Sequence, residues 1–186
     1  MTLGVGFGRR FLPAFADMKQ RISEGVIGDI LHVESMHSGP SGYRTPPGIW
    51  RATRAENPAG GMAARGIHNV DLMIDLCGEI SSAYAMSERR AIENDMDDTT
   101  SMLFEFKNGI TGYLSTIFAT GNIWRIFVMG TKGWLEMRPA VWGAYWSELA
   151  LAWDQVQTQS GLRQEWEAAC NGETGIDCFD AWAKEL

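Results

Sequence analysis

The sequence has no excess of positive charge, and this limits the partners it can bind. Its 186 residues carry 16 Lys and Arg against 23 Asp and Glu, so the formal net charge is −7. A chain of this balance lacks the basic field that supplies most non-specific affinity for nucleic acids. We therefore expect no nucleic-acid partner.

Long apolar runs and a cysteine framework are also missing. No apolar stretch approaches the ~20 residues that cross a bilayer, and the first residues do not follow the pattern of a secretory signal. The three cysteines, Cys77, Cys170 and Cys178, show no CxxC or other metal-like spacing. Isolated cysteines in odd number favour a reducing compartment. We expect a cytoplasmic protein with no membrane partner and no metal site.

Several short catalytic motifs are absent too. There is no GxSxG, HExxH or Walker A sequence, so hydrolase and NTPase functions have no support. Gly4, Gly6 and Gly8 are spaced GxGxG rather than GxGxxG. Arg9 and Arg10 then stand where a helix N-terminus would meet a pyrophosphate. The sequence therefore predicts no nucleotide-binding (Rossmann) domain in this chain.

The residues that are present indicate one globular domain. Hydrophobic residues make up 45% of the chain, with eight Trp and eight Phe to fill a core. Residue periodicity predicts strands at 2–7, 28–38, 80–90 and 99–106, helices that end near Gly25 and Gly78, and a helix at 175–185. Residues 39–58 are rich in Gly, Pro and Arg and predict a long loop of the kind that often carries function.

The turn signals place the second half of the chain in an antiparallel sheet. Asn108-Gly109 predicts a type I′ hairpin, and Lys132-Gly133 predicts a second hairpin. Residues 141–153 are Trp-rich and fit one or two further strands. The fold class predicted is α+β, with a large, open, predominantly antiparallel sheet and helices packed on one face.

One helix carries the best candidate for chemistry. At 100° per residue, His68 and Asp71 share one side, three residues apart, so their side chains can meet. Histidine exchanges protons near neutral pH, and a neighbouring carboxylate can orient it. A His–Asp pair on the polar side of a helix is also common without any function. The same helical wheel assigns the buried side to Ile67, Val70, Met73, Ile74 and Cys77, and the opposite side to His68, Asp71, Leu72 and Asp75.

The other titratable groups are weaker candidates. His32 and His37 lie five residues apart on one predicted strand, so they face opposite ways and cannot bind one metal together. Asp95, Asp97 and Asp98 lack the spacing of an EF-hand and predict a solvated turn.

Four segments of the chain resemble a known family. These are VGFGRRFLPAFADMKQRISEGVIGDI, WRATRAENPAGGMAARGIHNVDLMIDLCG, FEFKNGITGYLSTIF and VMGTKGWLEM. In this order they are similar to the C-terminal domain of the glucose–fructose oxidoreductase / inositol dehydrogenase (Gfo/Idh/MocA) family. The resemblance covers nearly all of residues 3–138, and GIHNVD and GTKGWLE are its most specific parts.

The resemblance implies a two-domain oxidoreductase that uses NAD or NADP. A Rossmann domain binds the cofactor, and an α+β domain supplies the substrate site and a sheet that commonly forms a homo-oligomer. Residues 1–186 would be that second domain, because the sequence begins where the family's Glu-Lys-Pro segment ends. The expected substrate is sugar-like or a cyclic polyol, which reacts by hydride transfer. The chain alone is expected to bind no NAD(P) and to be inactive.

The resemblance also implies roles for individual residues. His68 would be the general acid and base, and Asp71 would orient it or contact the substrate. The candidates for the substrate pocket are Arg10, Trp50, Arg51 and Arg65, although packing or surface roles fit these four equally well. Ala64 stands where many members carry an aspartate. This departure favours the alternative function, a non-catalytic, self-associating binding or scaffold protein.

Overall fold

The computed structural model describes residues 6–139 and 149–155, and all statements below concern these residues. The helices are α1 (Pro13–Ser23), the short α2 (Ser41–Arg44) and α3 (Ile67–Cys77), with 3₁₀ turns at Gly8–Phe11 and Trp50–Ala52. The strands are β1 (Ile30–Ser38), β2 (Ile80–Glu88), β3 (Thr99–Phe106), β4 (Thr111–Ile117), β5 (Ile123–Gly130), β6 (Gly133–Pro139) and β7 (Leu149–Gln155).

The seven strands form one sheet in the order β2-β3-β4-β1-β5-β6-β7. Strand β1 pairs with β4 in parallel, whereas its pairing with β5 and the pairs β2–β3, β3–β4 and β5–β6 are antiparallel. The predicted α+β fold with a predominantly antiparallel sheet is confirmed. The parallel β1–β4 pair arises because β1, which comes first in the chain, inserts between two later hairpins.

The helices cover one face of the sheet. Phe15 and Met18 of α1 and Leu72 and Met73 of α3 are fully buried in the same hydrophobic cluster as Val33 and other alternate residues of the strands. Successive residues of a strand point to opposite faces, so the residues between them form an open face. The site described below lies on the helical side. None of the helices described here is long and apolar enough to cross a membrane.

Helix α3 turns a different side to the core than the helical wheel predicts. Leu72, placed on the polar side, is fully buried, whereas Ile67 and Ile74 are 44% and 37% exposed. The wheel was drawn from the apolar residues and left Asn69 unassigned. In the structure, Asn69 is fully buried because its amide is hydrogen-bonded, and its position rotates the buried side toward Leu72.

The hairpin at Asn108 exists, but its turn type was predicted wrongly. A type I′ turn needs positive φ at both central residues. Only Gly109 has it, at 86°. The Gly109 N–H donates to the Phe106 carbonyl at 2.9 Å, and the Phe106 N–H donates to the Ile110 carbonyl at 2.8 Å. The loop is therefore three residues long, 107–109, with the glycine in the left-handed region.

Other local predictions have mixed outcomes. Residues 6 and 7 are not in a strand, and the rest of the predicted strand at 2–7 lies outside the described residues, as do 140–148 and the helix at 175–185. The hairpin that turns at Lys132, the loop at 39–58 with its short helical turns, and the helix end at Gly78 (φ 88°) are confirmed. The prediction of a solvated acidic turn is wrong for Asp97 and Asp98, which are only 4% and 1% exposed, and right for Asp95, whose side chain is 77% exposed.

Candidate active site

The candidate site lies where the chain enters α3. A π-helical turn, Met62–Gly66, comes directly before this helix, and such turns occur frequently at functional sites. Gly60, two residues before this turn, has a φ of 44°, and a Cβ there would lie 1.9 Å from the Asp97 carbonyl oxygen. Only glycine fits this position. The turn is therefore fixed against the Asp97 backbone, and it sets where Arg65 and His68 stand.

A cavity of about 530 Å³ opens beside this turn, a volume in the range of small-molecule sites. It is lined by Ser41, Thr45, Trp50, Arg51, Glu56, Asn57, Ala63, Ala64, Arg65, Ile67, His68, Met96 and Phe118. Four of the residues predicted for the site, Trp50, Arg51, Arg65 and His68, thus share one cavity. Arg10 and Asp71 are not among its lining residues.

His68 presents a ring that is half-buried in the cavity wall. Its Nδ1 atom is buried with no hydrogen-bond partner among the described residues, so Nε2 is the nitrogen that can meet a ligand. The Phe7 ring meets the imidazole edge-on, with 5.8 Å between centroids. Burial and the positive charge of Arg9 lower the pKa of His68, and Asp71 offsets part of that effect. The imidazole is therefore neutral near pH 7 and able to accept a proton.

Asp71 makes its hydrogen bonds to Arg10 and not to His68. The Arg10 guanidinium donates from Nε to Asp71 Oδ2 at 2.8 Å and from Nη2 to Asp71 Oδ1 at 2.5 Å, and it also reaches Asp75 at 2.8 Å. This bond raises the pKa of Arg10. Arg10 and Asp71 thus tie the 3₁₀ turn Gly8–Phe11 to α3, and Asp71 acts on His68 only through its charge.

A buried polar network lies behind the cavity, and little in the sequence indicates it. The Asn69 side chain donates to Ser35 Oγ at 2.6 Å and accepts from Trp124 Nε1 at 3.1 Å and from Arg9. Arg9 also donates to His37 Nδ1 at 3.1 Å. The available signal was a polar residue, Asn69, inside an apolar helical stretch.

The same network fixes the charge state of His37. Burial, then the charges of Arg9 and Arg65, lower the pKa of His37 to about 3, so its ring is neutral. His32 lies on the other face of β1 and bonds to Thr111 at 2.6 Å, as the spacing of the two histidines predicted. In the part of the chain described here, no cluster of three His, Cys, Asp or Glu could hold a metal ion.

The described residues do not fit a dinucleotide cofactor. Gly8 opens a four-residue 3₁₀ turn, Gly8–Phe11, rather than a long helix after a strand. The side chains of Arg9 and Arg10 that follow are bonded to Asn69, His37, Asp71 and Asp75. No helix N-terminus with free N–H groups is offered to a pyrophosphate at this position.

Comparison with known proteins identifies one protein family to which this chain is similar. A family model described as the GFO/IDH/MocA C-terminal domain matches residues 15–136. Inositol 2-dehydrogenase 2 of Saccharopolyspora erythraea is 33% identical over 109 residues, which are 57% of this chain and 29% of that protein. The chain thus spans less than a third of the length of this relative.

Solved structures share the fold at low identity. Levoglucosan dehydrogenase in complex with NADH superposes with a TM-score of 0.66 at 23% identity, covering 83% of this chain and 46% of that one. The aldose-aldose oxidoreductase of Caulobacter crescentus, complexed with glycerol, gives 0.67 at 21% identity, covering 84% and 48%. The chain spans about half of each of these proteins.

Proposed function

Because the chain belongs to the GFO/IDH/MocA C-terminal domain family, we propose that residues 1–186 are the substrate-binding and oligomerisation domain of an NAD(P)-dependent oxidoreductase. The substrate class proposed is a sugar-like compound or a cyclic polyol. The similarity to an inositol dehydrogenase supports this class. The observation that carries the proposal is the neutral, half-buried imidazole of His68 in the wall of a small-molecule cavity.

His68 is proposed as the group that moves the proton. When a substrate carbinol is oxidised, its O–H proton passes to His68 Nε2, the C–O bond becomes a carbonyl, and the carbon gives up a hydride. NAD(P) supplies the hydride acceptor in such enzymes, and reduction of the carbonyl reverses each transfer. His68 must be neutral to act as the base, and burial together with Arg9 keeps it so.

The substrate pocket is proposed from the residues that share the cavity with His68. The Arg51 guanidinium lies 4.2 Å from the centre of the Trp50 ring, and Trp50 is 54% exposed. The stacked pair offers one broad flat surface and hydrogen-bond donors to a ring with several hydroxyls. Arg10 is proposed as a positioning residue instead, because its guanidinium already binds Asp71 and Asp75.

Two further parts of the proposal concern the cofactor and the compartment. We expect no binding of NADH to the 186-residue chain, since its described residues form no dinucleotide site. A calorimetric titration with NADH checks this, and a saturable heat would contradict it. The cytoplasm is the compartment proposed, on the three cysteines without disulfide-like spacing.

The experiment for the proposed mechanism replaces His68 in the complete enzyme, that is, this chain together with its NAD(P)-binding domain. With myo-inositol as the first substrate assayed, His68→Ala should lower kcat by about 10²–10⁴-fold and leave KM nearly unchanged, since the proton transfer occurs in the transition state. Arg90→Ala is the control, because Arg90 is exposed and does not line the cavity. Unchanged turnover in His68→Ala would refute the role and favour a non-catalytic scaffold.

A further inference from the structure

The guanidinium of Arg65 is held in the cavity wall by packing. It lies at the end of the π-helical turn, three residues before His68. The centre of the Phe118 ring is 4.9 Å from its guanidinium carbon. The guanidinium also lies close to the backbone of Gly39. A Cβ at this position would be 3.0 Å from Arg65 Nη1, which is a tight contact. The group is half-buried and is held in one place.

The charge of Arg65 is not balanced by a carboxylate in the described part of the chain. Arg10 pairs there with Asp71, Arg54 with Asp97 and Arg125 with Glu34, whereas Arg65 forms no such pair. Glu56 is the one carboxylate among the residues that line the cavity, and it forms no ion pair with Arg65 in the described part of the chain.

The charges that do act on Arg65 are positive. Burial, and then the charge of Arg44, lower its pKa. Burial, and then the charge of Arg65, lower the pKa of Arg9 to about 10. Like charges gathered at a half-buried position raise the free energy of the empty site, and an anion that enters it lowers that free energy.

Unsatisfied polar atoms stand in the same cavity wall. Ser41 Oγ is buried and has no hydrogen-bond partner among the described residues, and neither has His68 Nδ1. Both atoms are enclosed by protein, so the donor that an entering ligand meets at this position is the Arg65 guanidinium. A guanidinium is a donor that suits an anionic oxygen.

From these observations we propose that the substrate of this site carries an anionic group, a carboxylate or a phosphate, which Arg65 binds while His68 meets the reacting hydroxyl. The inference rests on the proposed function and narrows its substrate class from a neutral polyol to an acidic sugar or polyol. Arg65 stands roughly one helical turn before His68, so one small molecule can reach both.

The test measures ligand binding to the 186-residue chain by calorimetry or ligand-observed NMR, without any turnover. The probes are D-glucuronate, its neutral amide D-glucuronamide, and glucose 6-phosphate. We expect glucuronate or glucose 6-phosphate to bind at least about tenfold more tightly than the amide, and this preference to fall as NaCl is raised. Comparison of the affinities for glucuronate and glucose 6-phosphate distinguishes a carboxylate site from a phosphate site.

Arg65→Gln should remove the preference for the anion and leave the affinity for the amide unchanged. Arg90→Gln is the matched control, since Arg90 is exposed and lies away from the cavity. Equal affinities for glucuronate, glucose 6-phosphate and the amide in the unmodified chain would overturn the inference even if Arg65→Gln failed to fold. In that outcome the proposed function would stand. If none of the probes binds, the inference is likewise wrong, and the His68 turnover assay decides the proposed function separately.

Discussion

The charge of a single residue, Arg9, tunes the proposed base. Burial is the larger cause that lowers the pKa of His68, and the positive charge of Arg9 is the second. A lowered pKa means that His68 stays neutral, and thus able to accept a proton, down to a pH below the usual 6.5 of histidine. The capacity to act as a base is lost only when the pH falls through that lowered value.

Replacement of Arg9 by Gln should therefore raise the pKa of His68 toward its ordinary value without fully restoring it. The measurement is an NMR titration of the imidazole resonances, which is practical because the chain has three histidines and His37 stays neutral above a pKa of about 3. Arg9→Lys keeps the charge and is the control, with a smaller shift expected. A midpoint for His68 that is the same in Arg9→Gln as in the native chain would show that Arg9 does not act on it.

At the scale of elements, the loop between β2 and β3 is held by one carboxylate. Asp98 accepts hydrogen bonds from the N–H groups of Arg90, Ala91 and Ile92 at 2.7–3.1 Å and from the Thr99 hydroxyl at 2.8 Å. Burial alone would raise the pKa of Asp98, but these hydrogen bonds outweigh it and the pKa is lowered. The stabilisation is therefore fully present above the ordinary pKa, about 4, and is lost as the pH falls through the lowered value.

Asp98→Ala should reduce the free energy of unfolding by about 2–3 kcal/mol at pH 7, because it leaves several N–H groups without their charged acceptor. Urea unfolding monitored by Trp fluorescence measures this loss, and the difference from the native chain should shrink as the pH falls toward 3. Asp95→Ala is the control from the same loop, since its side chain is 77% exposed. A loss in Asp98→Ala that did not depend on pH would mean that the carboxylate charge is not the cause.

How far the sequence predicts these elements depends on whether the signal is local. Strands β1 to β4 and helix α3 follow from residue periodicity and glycine ends, which neighbouring residues determine. The buried side of α3 did not follow, because Asn69 is buried through partners on other elements, Ser35 and Trp124. The prediction that Asp97 is solvated is wrong for the same reason. Asp97 is buried against Arg54, which is 43 residues away in the chain.

In the candidate site, too, some features have a signal in the sequence and others depend on long-range contacts. Its shared cavity brings together Trp50, Arg51, Arg65 and His68, which the resemblance to a family indicated. The engagement of Arg10 by Asp71 joins residues 61 positions apart and has no local signature. The absence of a carboxylate partner for Arg65 among the described residues has no local signature either, because it depends on where each carboxylate of the fold lies. Long-range pairing therefore decides which of the predicted arginines can meet a substrate.

At the scale of the whole molecule, the open face of the sheet is the surface proposed for self-association. One cross-strand row there contains Tyr84, Leu103, Tyr113, Glu34, Phe127 and Glu136, one residue from each of six neighbouring strands. Tyr84 and Leu103 are 63% and 55% exposed. The Phe127 and Trp134 rings lie 5.3 Å apart on the same face. Four of the six residues in this row are apolar or aromatic, and exposed apolar side chains on a sheet face favour a symmetric interface with a second copy of the chain.

Leu103→Arg should therefore weaken the homo-oligomer without unfolding the monomer, because the side chain is already exposed in one copy and would be buried only between two. Sedimentation velocity over a range of micromolar concentrations measures the effect, and we expect the dissociation constant to rise at least about tenfold, since a charge would have to be buried at the interface. Phe11→Arg is the matched control, since Phe11 is 84% exposed and lies outside the sheet. A native chain that sediments as a strict monomer, or an oligomer that Leu103→Arg leaves intact, would rule out this face as the interface.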